Sequence, residues 1–489
     1  FKDNLHLELN STVTEQTLTD LQKRLDTKDE VSGEYIMDKD SLQAELDMAK
    51  AILADKQKGD VLKIDPTITA SKDGHLGFAS GLNAWQPLGV SGQADQTVTI
   101  YVGTPNGKVG DNTPLTLVPT QYYAESNSLT GQTFALKVGK NEITLPELTS
   151  LATQQGGPLY ITFNGNNDNA NYSVRVSGGI KTATLNLHNV TDEQERLAKV
   201  TQYLADLKQQ VNGLTTNKLG YTTNGVFNLK ENVANTSDIQ LQNMMLSLPA
   251  TQILAGLNGK DEAKALLASV DAMDQMMTLF YQHKGLSNAI GAGDKNRLPA
   301  QHLNIRYMRM FAGAFMYAGG NHIGIEWDQT PGMVQGQPIK ATEAGKYQEG
   351  NLFGWGIAHE IGHNINQASY AIAEITNNYF AQLSQAKDSN ASVRWSYDEI
   401  FKKTTSNTKG QSSDVFTQLA MYWQLRLAYD RYYNYKMFSD YQNQFDNLFY
   451  ARVDSYSRNP ASAPKPNNIE LKLNGGVEQN FMHLASAAA

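Results

Sequence analysis

The chain has 489 residues, enough for two or three domains that each bury a core without covalent staples. It contains no cysteine, which excludes disulfides, thiolate metal sites and a cysteine nucleophile, and its formal charge of −8 speaks against nucleic acid or an anionic membrane as the main partner. No apolar run approaches the roughly 18 residues that would span a bilayer.

Residues 1–56 place charged and apolar positions at helical period, as from Leu18 to Leu25 and from Leu42 to Ala49, and predict a small helical lead-in. From 57 to 183 the texture changes to short β-branched runs, Thr97 to Val102 and Tyr172 to Ser177 among them, bounded by Gly, Asn, Asp and Pro. That spacing predicts a β-sandwich domain. From 184 to 489 helical patterns dominate, notably over 193–211, 262–282 and 415–435, with a turn cluster at 459–468. The expected fold is multidomain α+β: an N-terminal helical segment, a β-sandwich domain, and a mainly α-helical domain with a small sheet. The chain starts at Phe1 without a methionine or leader pattern, as expected of a mature form or of a piece cut from a longer chain.

The chemistry concentrates in His359-Glu360-Ile361-Gly362-His363. Side chains four apart on a helix stand one turn above each other, so His359 and His363 can grip one metal ion together. The Glu360 carboxylate follows the first imidazole and is placed to take a proton from a metal-bound water, the arrangement of a zinc metallopeptidase. Ile357, Ala358, Ile361 and Ile365 supply apolar positions at helical spacing, so this helix is expected to be largely buried.

A catalytic zinc needs a third protein ligand and one open position. A third histidine six residues after the second is ruled out, because Ser369 occupies that place. Glu374 is the candidate instead, in the first turns of a helix expected over about 370–387. Asn378, one turn later, is placed to hold a ligand imidazole in the right tautomer by a hydrogen bond, with Asn377 as the fallback.

These residues resemble a known family. The run H-E-I-G-H-N followed by E-I-T-N-N is similar to the enhancin and mucinase group of zinc peptidases, family M60. Further similarity lies in 316–325, in Trp423-Gln424-Leu425 with Leu427-Ala428-Tyr429, and in the β-rich segments 85–90, 138–141 and 156–161. The resemblance runs from about Gly81 to the C-terminus. It implies a zincin-type catalytic domain over 184–489, one catalytic Zn2+, and a bacterial secreted or cell-surface enzyme. It also implies substrates that are O-glycosylated, mucin-like glycoproteins. Because the family often continues beyond a stretch like 480–486, an incomplete C-terminus is expected.

Three further residues are weaker candidates for holding substrate. Asn321 to Trp327 alternates and reads as a strand; as the edge strand beside the metal it would pair with an extended peptide, bringing Asn321 and His322 to the substrate. Trp355, one turn before His359, either lines the pocket or anchors the helix in the core. In the aromatic group Tyr422, Trp423, Tyr429, Tyr432, Tyr433 and Tyr435, one phenol is a candidate oxyanion donor, though packing is the commoner use. Rival functions are a glycan-binding adhesin built on the β domain and a general protease indifferent to glycans.

Overall fold

The structure is a computed structural model. It describes residues 1–120, 132–146, 156–217, 222–223, 226–310, 313–337, 340–341, 347–348, 354–389, 394–406, 414–431 and 440–489.

Two helices, Glu15–Asp26 and Lys39–Ala54, form the lead-in. The first begins in a reciprocal cap, in which the Thr14 hydroxyl accepts from the Thr17 amide and the Thr17 hydroxyl accepts from the Thr14 amide. Leu18 and Leu25 of one helix pack with Leu46 and Ala49 of the other. The opposite face of the second helix, through Met48 and Ile52, rests with Leu7 on Tyr101 of the following sheet.

Next come two antiparallel sheets. One orders its strands Lys58–Lys63, Ser173–Ser177, Thr97–Gly103 and Gly139–Thr144; the other runs Phe134–Lys137, Asn112–Pro119, Gly157–Phe163, Trp85–Gly92 and Ile180–Lys181. Alternation explains their pairing: Val98, Ile100 and Val102 point one way along their strand, and meet Leu115, Leu117, Leu159 and Ile161 from the other sheet in one apolar core.

A mixed six-stranded sheet follows, ordered Thr184–Asn186, Ser237–Gln240, Met244–Leu248, Leu303–Tyr307, Ile323–Ile325 and Met316–Ala318. Leu246, Ile305 and Ile323 face the helices Glu193–Asn217 and Glu262–His283, where Tyr203, Leu207, Val270 and Met273 complete the largest core. The other face carries Met245, which packs against Trp85, Val118 and Tyr160 of the five-stranded sheet. Polar groups on that face are paired rather than stranded. The Tyr160 hydroxyl donates to Asp238 at 2.8 Å and Ser247 donates to the same carboxylate at 2.7 Å. The β-rich part is thus bolted to the back of the sheet that carries the site.

The helix Trp355–Ile365 lies against the Met316–Ala318 end of this sheet, and Ile357, Ala358, Ile361 and Ile365 join the main core. Helices Asn378–Ser389, Val415–Tyr429, Phe449–Arg458 and Val477–Ala488 complete the region. The observed helices Glu193–Asn217 and Glu262–His283 extend the predicted spans of 193–211 and 262–282. The predicted 415–435 helix is seen to Tyr429, and 432–439 lie outside the described residues. Among the described residues, no helix is long and apolar enough to cross a membrane.

Candidate active site

The helix Trp355–Ile365 presents His359 and His363 on one face, with ring Nε2 atoms 3.2 Å apart. Each of these nitrogens can offer a lone pair to a metal when the ring proton sits on Nδ1. Glu374 closes the set: its Oε2 is 3.4 Å from His359 Nε2 and its Oε1 is 3.1 Å from His363 Nε2. Donors bound tetrahedrally to zinc at about 2.0–2.1 Å stand about 3.3–3.4 Å from one another, so this triangle fits the ion. Among the described residues it is the group of three or more such side chains able to hold a metal, with its donor atoms all within 4.8 Å of one another.

Glu374 reaches the imidazoles by a route the periodicity did not suggest. The expected helix over 370–387 begins only at Asn378, and Glu374 sits before it in a turn with φ of 65°. That left-handed backbone costs a non-glycine residue roughly 1–2 kcal/mol, so its surroundings must hold it. They do. The Asn366 amide donates to the Thr376 hydroxyl at 2.9 Å, the Thr376 N–H donates to the Ile372 carbonyl, and the Asn378 amide donates to the Glu374 carbonyl at 2.5 Å. Of these, only the bond from Thr376 N–H to the Ile372 carbonyl is one that a continuing helix would also make.

Asn378 is doubly engaged, because its Oδ1 lies 2.6 Å from His359 Nδ1. An oxygen there accepts the Nδ1 proton, which leaves the Nε2 lone pair facing the metal position. Asn377 brings its amide nitrogen, not an acceptor, to within 3.3 Å of the same Nδ1, and to 3.1 Å from His363 Nε2. Of the two asparagines, Asn378 therefore presents the acceptor. Gly362 explains how helix and turn come so close, since a Cβ at this position would lie 2.2 Å from the Asn377 carbonyl oxygen.

Glu360 stands beside the triad with an oxygen 4.0 Å from His359 Nε2. Burial raises its pKa above the ordinary carboxyl value, opposed by His359, reinforced by Glu374 and opposed again by the Ala318 N–H, which donates to it. A carboxylate fixed by a strand amide and partly desolvated is a competent base.

The Ala318 contact identifies the strand that borders the site, and it corrects the expectation for 321–327. Only Ile323–Ile325 is a strand there, and it lies inside the sheet between Leu303–Tyr307 and Met316–Ala318; the edge belongs to Met316–Ala318. Asn321 sits in the connecting turn. His322 is fully buried, its Nε2 2.8 Å from the Tyr317 hydroxyl and its Nδ1 3.1 Å from Asn321 Oδ1, and burial pushes its pKa down to about 3. It supports the hairpin from within. The Gly319-Gly320 pair between two short apolar runs was the sequence sign of this hairpin.

Trp355 is nearly buried, edge-on to Phe416 and covered by the Arg394 guanidinium, which makes it an anchor of the helix. The described members of the aromatic group also pack: Tyr422 against Phe481, Tyr429 against Phe449, and Trp423 with its indole N–H donating to the Tyr397 hydroxyl. Tyr432, Tyr433 and Tyr435 lie outside the described residues.

Residues 216–448 match the family described as peptidase M60, enhancin and enhancin-like. No curated protein sequence matches the chain significantly. Among solved structures, the chain is similar to the CBM32-1, CBM32-2 and M60 catalytic domains of ZmpB from Clostridium perfringens, at 20% identity and a TM-score of 0.66, covering 100% of this chain and 45% of that one. It is also similar to the M60 catalytic domain of Clostridium perfringens ZmpC in complex with the sialyl T antigen, at 22% identity and a TM-score of 0.58, over 88% of this chain and 74% of that one. A metallopeptidase from Bacteroides thetaiotaomicron matches at 15% identity and a TM-score of 0.60, over 100% and 70%. At such identities these structures speak for the fold, and the chain spans less than half the length of the first of them. The solved structures give the fold, and the family match gives the peptidase class of residues 216–448. Residues 216–448 are thus the part of the chain that matches the peptidase M60 family.

Proposed function

We propose that this enzyme is a secreted metalloendopeptidase that cleaves peptide bonds in O-glycosylated, mucin-like glycoproteins, with His359, His363 and Glu374 as zinc ligands and Glu360 as general base. The observation that carries the reading is the approach of the two imidazoles and the Glu374 carboxylate to within 3.1–3.4 Å of one another, with Glu360 beside them. When bound, zinc lowers the pKa of a water toward about 7 and polarises the scissile carbonyl. Glu360 accepts the water's proton and passes it to the leaving amine, turning a poor leaving group into a neutral one. Asn378 keeps His359 in the tautomer with a free Nε2 lone pair. The edge strand Met316–Ala318 offers backbone groups with which an extended peptide can pair.

The glycan half of the reading draws on the family and on the neighbour bound to the sialyl T antigen. In this reading the two-sheet unit is a rigid support, consistent with its paired polar contacts to the catalytic sheet. The test is incubation with a purified mucin, intact and enzymatically stripped of its glycans, with and without chelator. Chelator-sensitive cleavage of the intact mucin is expected. Cleavage of the stripped form alone would remove the glycan requirement and leave an ordinary protease.

A further inference from the structure

A second feature lies away from the metal helix. A cleft of about 780 Å3 opens where the two-sheet unit meets the six-stranded sheet, within the usual range for small-ligand sites. Its walls come from the segment after strand Lys58–Lys63, from the turn after Thr184–Asn186, and from the loop leading into Leu303–Tyr307.

The cleft is held open by specific bonds. The Asp73 carboxylate accepts the backbone N–H groups of Ala300 and Gln301, each at 2.8 Å, and the Thr69 N–H donates to the Ala300 carbonyl at 3.2 Å. The loop 297–302 is thereby fastened across the domain junction in one shape. Among the described residues, the lining is mostly polar and contains no phenylalanine, tyrosine or tryptophan. Gln242 and Asn189 are already oriented by bonds to each other at 3.2 Å. Lys72 is paired with Asp168, but Lys295 and Arg297 form no ion pair among the described residues. His302 is 3% exposed and its Nε2 has no partner, although it contributes to the wall. Arg297 donates to the Lys72 carbonyl, and the cleft's three cations, Lys72, Lys295 and Arg297, outnumber its two carboxylates, Asp168 and Asp294, so with the unpartnered His302 in the same wall the lining suits a polar ligand that bears negative charge.

We infer that this cleft binds a carbohydrate carrying an acidic substituent, a carboxylate or a sulfate ester, held by Lys295 and Arg297 while the amides of Asn189 and Gln242 meet its hydroxyls. The absence of an aromatic platform disfavours a nucleobase, and the overall charge of −8 disfavours an extended polyanion. As a second contact for the glycans of a glycoprotein substrate, the inference rests on the proposed function for its biological sense, though not for its chemistry.

Binding is measured by titration calorimetry on the zinc-loaded enzyme with 3′-sialyllactose, 3′-sulfolactose and lactose. At least one acidic sugar should bind about ten-fold or more tightly than lactose, and the difference between the two acids identifies which group is read. Lys295→Glu, which alters an exposed side chain, and Arg297→Gln should each weaken that binding about ten-fold or more. Both should cleave a short neutral peptide substrate at the wild-type rate. Equal binding of lactose, or acidic-sugar affinity untouched by both variants, overturns the inference even if the enzyme is active. An enzyme that binds as expected but hydrolyses nothing overturns the proposed activity alone.

Discussion

Asn378 joins two proposed metal ligands with one side chain: its Oδ1 is 2.6 Å from His359 Nδ1, and its amide nitrogen is 2.5 Å from the Glu374 carbonyl oxygen. The same residue therefore sets the orientation of an imidazole on one helix and holds a left-handed turn that precedes the next. Asn378→Ala should lower zinc affinity or kcat/KM by about 10–100-fold. Asn378→Asp, which keeps the acceptor but loses the donor to Glu374, should recover part of that loss. Zinc titration with a competing chelator measures both, and an unchanged affinity in Asn378→Ala would show that the turn and ring hold themselves.

Glu360→Gln retains the shape of the side chain and loses the base. Zinc should remain at one equivalent by elemental analysis, while turnover falls by about 10^2-fold or more. Retained hydrolysis would refute the role of Glu360.

Glu374→Ala removes the proposed third ligand. Zinc added to the metal-stripped wild type should raise Tm, since saturation at about 1,000 times Kd is worth about 4 kcal/mol. In Glu374→Ala the zinc-induced shift should shrink or vanish. A shift of wild-type size would mean that the carboxylate does not bind the ion.

Gly362→Ala forces a methyl group to within 2.2 Å of the Asn377 carbonyl oxygen, a backbone atom that cannot swing aside. Overpacking of this kind costs about 1–3 kcal/mol and displaces the turn carrying Glu374. Denaturant unfolding should show the loss, accompanied by weaker zinc binding.

Acid should destabilise the fold through two buried histidines. Burial pushes His302 and His322 down to about 3, against about 6.5 when unfolded. Between these values the unfolded chain binds more protons, so the stability is fully present above about pH 6.5 and is lost as pH falls toward 3. By pH 5 the loss is about 2 kcal/mol per histidine. His322→Gln should flatten the pH dependence of urea stability between pH 7 and 5; an unchanged slope would show that His322 takes no part.

What was readable in the sequence was local or periodic. The spacing of His359 and His363 follows from helix geometry alone, and Glu360 follows from adjacency. The two lead-in helices and the alternating strands follow from side-chain period, which burial of one face enforces. Glu374 was found as a residue, but placed on the wrong backbone, because its apolar neighbours Ile372 and Ile375 imitate a helix that Asn366, Thr376 and Asn378 interrupt.

By itself, then, the amino-acid order determined the imidazole pair on one helix face, the carboxylate beside it and the succession of helical, β-rich and again helical regions, since each depends on contacts within a few residues. Tertiary structure alone decided that Met316–Ala318 is the bordering strand, that Asn378 presents the acceptor to His359, and that a polar cleft forms where the two-sheet unit meets the six-stranded sheet. Those outcomes depend on pairings across long stretches of chain, such as Gly362 against Asn377 and Asp73 against Ala300, whose geometry exists only once the separate layers have packed.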